Sequence, residues 1–174
     1  DQWERGAFDM TLGNIGGKLP DDIKLGPRAQ KHAQKAFDEA YDGIRGRLSF
    51  QPDTDWATDI AQIRSDASLL ATNVKKKVGQ VIGDVERRIS NGGGALSGGQ
   101  FKTAASEINT EIRRLKNLNN PTQGQLELLG TLEELDSALH QGARRSSAPE
   151  VVAELDRIDR GYAMLTKIEN ASRR

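Results

Sequence analysis

Residues 101–115 read Phe-Lys-Thr-Ala-Ala-Ser-Glu-Ile-Asn-Thr-Glu-Ile-Arg-Arg-Leu, with Phe101, Ala105, Ile108, Ile112 and Leu115 stepping by four, then three. That interval keeps apolar side chains on one face of an α-helix. Two other stretches repeat it. One runs Val151, Leu155, Ile158, Tyr162, Leu165; the other runs Trp56, Ile60, Ile63, Ala67, Leu70, Val74. No segment alternates at the two-residue period of a half-buried strand. The stripes predict an all-α protein, a multi-helix bundle of about seven helices.

At 174 residues the chain suits one domain or two small helical units. Its 25 basic and 25 acidic residues cancel, which argues against whole-surface attraction to nucleic acid or an anionic membrane and leaves room for a local patch. There is no cysteine, so disulfides, thiolate metal sites and cysteine nucleophiles are excluded. No apolar run reaches the ~18 residues of a membrane span. The chain begins at Asp1 without a leader, and the expectation is a processed product or an excised piece of a longer protein.

Breakers divide the chain. Trp3, Phe8 and Leu12 mark a short first helix, and the run from Gly13 to Gly26 is a loop. Pro27 fits the first position of a second helix, where its missing N–H is harmless. Asp53 or Thr54 caps the helix of Trp56, and Thr72 and Asn73 favour a break before the stripe Val74, Val78, Val81, Val85, Ile89. Asn91-Gly92-Gly93-Gly94 ends that helix. Three start signals follow: Ser97 with Gln100, Asn120 with Pro121 and Gln123, and Ser147 with Glu150. The resulting expectation is an N-terminal helical half, residues 1–91, and a C-terminal antiparallel three-helix unit, residues 97–172, the two together forming two domains or one.

Chemistry-bearing motifs are sparse. Leu96-Ser97-Gly98-Gly99-Gln100 matches the signature loop of ABC-type ATPases, but no GxxxxGK[ST] loop accompanies it, and helix capping explains the same letters. His32 and His140 have no Asp, Glu or His three or four residues on, so neither reads as a metal ligand. The acidic groups Glu133, Glu134, Asp136 and Glu154, Asp156, Asp159 read as solvated faces. Arg113, Arg114, Lys116 and the pair Arg144, Arg145 fall near helix C-termini, where the helix dipole favours them. Lys75, Lys76 and Lys77 lack that explanation and are the candidate contact for a phosphate backbone or an acidic partner. Trp3, Trp56 and Ile60 are the candidate apolar interface. No catalytic residue, cofactor, metal or small-molecule substrate is expected, and the chain reads as non-enzymatic.

Asn14-Ile15-Gly16-Gly17-Lys18-Leu19-Pro20 precedes a helix containing Phe37-Asp38-Glu39-Ala40-Tyr41-Asp42. Later come Gly94-Ala95-Leu96-Ser97-Gly98, Arg145-Ser146-Ser147-Ala148-Pro149-Glu150, Asp156 to Tyr162 and Lys167-Ile168-Glu169. In the order of these pieces the chain resembles a helical segment of the internal or DNA-ejection proteins of short-tailed, podovirus-like bacteriophages, over nearly its whole length. The resemblance implies a structural virion module held in the virion interior with the packaged DNA. It implies assembly with copies of itself or other virion proteins, and delivery into the host cell at infection. It transfers no functional residue. The alternatives read from the residues are a nucleic-acid-binding helical module centred on Lys75–Lys77 and a helical adaptor or chaperone.

Overall fold

Helix starts and stops follow from local chemistry. In the computed structural model, residues 2–173 are described, and they form α1 (Gln2–Gly13), α2 (Pro27–Arg45), β1 (Ser49–Phe50), α3 (Thr54–Ala67), α4 (Thr72–Asn91), β2 (Leu96–Ser97), α5 (Gly99–Lys116), α6 (Gln123–Ser146) and α7 (Pro149–Ser172). The protein is an all-α multi-helix bundle with one small two-stranded ladder. Pro27 opens α2 and Asp53 caps α3, its carboxylate accepting the Trp56 N–H at 2.8 Å. The long stripe breaks between Ala67 and Thr72 as expected, although Ala71, which has no side-chain cap, holds the N-cap position. α4 stops where Gly93 and Gly94 take positive φ and donate to Ser90 and Ile89.

Two compact units result: residues up to Ile44 together with residues from Ala148 onward, and Arg45–Ser147. This corrects the expected division into 1–91 and 97–172. α7 does not complete a three-helix unit with α5 and α6. Its apolar stripe is covered by α1 and α2, and the faces of α6 are taken by α3, α4, α5 and β1.

In the first unit, α7 packs along α1. Gly161 brings its backbone against the fully buried ring of Phe37, so closely that a Cβ there would overlap it. The Tyr41 hydroxyl donates to Asp159 at 2.7 Å, and Phe37 and Tyr41 both meet the Tyr162 ring edge-on. The loop after α1 folds back on it. Asp9 accepts the Leu19 N–H at 2.8 Å, Arg5 donates to the carbonyls of Pro20 and Ile23, and Leu19 is buried.

In the second unit, α6 is the central helix, and Leu128, Leu132, Leu135 and Leu139 form its buried stripe. On α4, Ile82 occupies the buried place expected for Val81. β1 pairs antiparallel with β2, Ser49 opposite Ser97 and Phe50 opposite Leu96. This ladder was not anticipated, since two residues are too few to show a period. It also displaces the Ser97 cap. Gly98, with φ 53°, becomes the N-cap of α5, and Ser97 keeps only the Gln100 side chain on its N–H at 3.4 Å. The cap of α6 moves as well. Thr122 and Gln125 form the capping box, while Asn120 takes a left-handed φ of 53°. Ser147 does not cap α7 either. Its hydroxyl accepts the Ser49 N–H at 2.9 Å and donates to the Ser49 carbonyl at 3.1 Å, and Ser146 accepts the Gln51 N–H at 3.0 Å. The pair serves the edge of β1 that β2 leaves open.

Candidate functional site

Among the described residues, no group of three His, Asp or Glu side chains is placed to hold a metal ion, and no helix is long and apolar enough to cross a membrane. A half-buried titratable pair lies in the second unit. His140 Nδ1 stands 2.8 Å from the Asp136 carbonyl and 3.3 Å from the Asp136 carboxylate, with its ring edge-on to Phe101. Asp136 lies four residues before His140, one helical turn toward the N-terminus of α6. Burial opposes a charge on His140. The hydrogen bond and attraction from Asp136 outweigh it and raise the imidazole pKa above its ordinary value. Within the helix, the Asp136 carboxylate and carbonyl orient the imidazole and favour its charged form.

The three candidate apolar interface residues separate. Trp3 is 74% exposed, whereas Trp56 and Ile60 are each only 5% exposed. Trp56 packs edge-on against Phe50 at 4.9 Å, so it and Ile60 belong to the core of the second unit and not to a surface. Their stripe pattern is the same for a core and an interface, which is why sequence alone did not separate them. Trp3 instead borders a groove of about 510 Å³ between α1 and α7, lined by Ala7, Met10, Met164 and Ile168 among others. Met10 is 68% exposed. Large apolar groups exposed together mark an interaction surface more often than single ones do.

Lys75, Lys76 and Lys77 are all exposed, near the start of α4. Val74 lies against Gly124 on α6, so α4 and α6 begin at the same end of the second unit. The antiparallel α5 ends there too, which brings exposed Arg113, Arg114 and Lys116 to the lysine run. Glu111 links the two clusters: the Arg114 hydrogen bond lowers its pKa against opposing burial, and the charges of Arg114 and Lys77 assist. Arg114 pairs with Glu111 at 2.7 Å and Lys116 with Glu133 at 3.9 Å. Lys75 and Lys76 make no ion pair among the described residues. The segments 67–83 and 112–126 contain no Asp or Glu at all.

At the opposite end of α6, about 36 Å away at 1.5 Å per residue, the charges are matched. Arg145 grips Asp53 through Nε at 2.7 Å and Nη2 at 3.0 Å. That hydrogen bond, together with the Trp56 N–H, holds the half-buried Asp53 carboxyl below its usual range.

Comparison of the chain with protein-family models, with curated proteins and with solved structures gives no match.

Proposed function

We propose that the chain is a non-enzymatic structural module of a bacteriophage virion, part of an internal or DNA-ejection protein that assembles through helix packing and enters the host cell with the genome. The virion assignment rests on the order of sequence pieces described above. What supports an assembly role is the apolar groove of the first unit, where Trp3 and Met10 stand in solvent beside Met164 and Ile168. A groove of this composition suits the apolar face of another helix, from a second copy or another virion subunit. Each residue left exposed there forgoes roughly 1.5–3 kcal/mol of burial, a driving force that only an assembly recovers.

Two measurements test this. Sedimentation velocity should show concentration-dependent association of the wild-type chain and a monomer for Trp3→Glu. A wild-type chain that stays monomeric at millimolar concentration contradicts self-assembly. Mass spectrometry of purified phage particles should find the chain in intact virions and not in particles that have ejected their DNA. Its absence from intact virions contradicts the virion reading.

A further inference from the structure

We propose that the end of the second unit formed by the first turns of α4, the last turn of α5 and the link 117–122 binds the phosphate backbone of duplex DNA. The inference does not depend on the assembly role of the first unit. It begins from topology. The up-and-down course of α4, α5 and α6 gathers two basic clusters that lie some forty residues apart in sequence. Lys75, Lys76, Lys77, Arg113, Arg114 and Lys116 all face solvent there, in a protein whose total charge is zero.

Helix electrostatics explains half of this surface. Arg113, Arg114 and Lys116 close α5, where the dipole is negative. Lys75 closes the first turn of α4, where the dipole is positive, Lys76 and Lys77 follow in the second turn, where its pull has faded, and the first turns of both α4 and α6 hold no acidic residue. The lysines therefore draw no support from their own helix dipole, and Lys75 opposes it. An external polyanion is the partner that turns this repulsion into attraction.

Neutral donors extend the cations. Asn117, Asn119 and Asn120 are exposed on the link between α5 and α6, and side-chain amides of this kind bond phosphate oxygens. No aromatic residue occurs in 64–83 or 111–127. Single-stranded nucleic acid is held by stacking on aromatic rings, which this end lacks, and protein interfaces draw most on Trp, Tyr and Arg, of which only Arg113 and Arg114 are present here. A duplex offers regularly spaced phosphates and needs no aromatic ring, and such binding carries no sequence preference. Leu69, 85% exposed on the link between α3 and α4, is the one feature a duplex leaves unused. An anionic bilayer would use it, which makes vesicles the discriminating arm of the test.

The experiment is fluorescence anisotropy of a labelled 20-base-pair duplex with the full chain, between about 50 and 200 mM salt. Six phosphate contacts give a log–log salt slope of about −5 and a loss of about a thousandfold across that range. Lys75→Glu/Lys76→Glu should weaken binding at least tenfold at the lowest salt and flatten the slope by about two. Lys31→Glu/Lys35→Glu, the same charge change on exposed positions of α2, should leave binding unchanged. Three outcomes overturn the proposal. The first is no duplex binding at 50 mM salt. The second is an equal loss in both variants. The third is binding to phosphatidylserine–phosphatidylcholine vesicles that Leu69→Glu abolishes, with no binding to the duplex.

Discussion

The two ends of the second unit solve the same problem in opposite ways. Where α3 begins and α6 finishes, a cap, a charge and an open strand edge meet internal partners. Asp53 caps a helix and binds Arg145, Ser146 and Ser147 serve the open edge of β1, and Phe50 fills the space beside Gly142 and Trp56. Where α4 and α6 begin, Lys75 and Lys76 stand without an ion pair among the described residues and Leu69 stands in solvent. The first end is closed by folding. The second is left open, and its composition is better suited to a partner than to the fold.

The strongest way to break this contrast is to remove the plug of the closed end. Phe50 is fully buried between Trp56 and the α6 backbone at Gly142. Phe50→Ala should lower unfolding free energy by about 3–5 kcal/mol, measured by urea denaturation. A loss under 1 kcal/mol would mean that end is not sealed. Glycines sharpen the point. A Cβ at Gly142 would overlap the Phe50 ring, whereas one at Gly79 on α4 meets open space. Gly142→Ala should destabilise by about 1–3 kcal/mol through overpacking. Gly79→Ala should stabilise by up to about 1 kcal/mol through helix propensity. Effects of the same sign at both positions would contradict the packing described.

A smaller effect comes from His140 on the closed half of α6. Its folded pKa is raised, so its charged form stabilises the protein fully below the unfolded value near 6.5. That contribution is lost as pH rises through the folded pKa. Stability should therefore decline in the wild type as pH rises from about 6.5 through the folded pKa, and this decline should be absent in His140→Gln. A pH profile unchanged by the substitution would remove the Asp136 pairing from the account of this end.

Much of the helical framework was legible because it rests on local chemistry. The stripes, Pro27, the Asp53 cap, the break near residue 70 and the glycine stop after Asn91 each act within a few residues. The misreadings share a different cause. Ser97 and Ser147 are good cap residues whose backbone or hydroxyl is claimed by β1, which lies about fifty residues or more away in sequence. Trp56 and Trp3 look alike in sequence, and only the fold buries one and exposes the other. α7 has a stripe as good as that of α5, but a stripe does not name the helices that cover it, and α1 and α2 do so. Of the candidate surfaces, the lysine run was visible at once. Its meeting with Arg113, Arg114 and Lys116 was not, because it depends on the direction of three helices.

The central claim is that Lys75 and Lys76 serve a partner and not their own helix. The direct measurement is the denaturation midpoint of Lys75→Glu/Lys76→Glu in low salt. An acidic side chain in the first turn of a helix stabilises by about 0.3–1 kcal/mol, so the change at Lys75 should make the variant unfold at higher denaturant than the wild type. A variant less stable than the wild type would show that the lysines support the fold, and would contradict the claim.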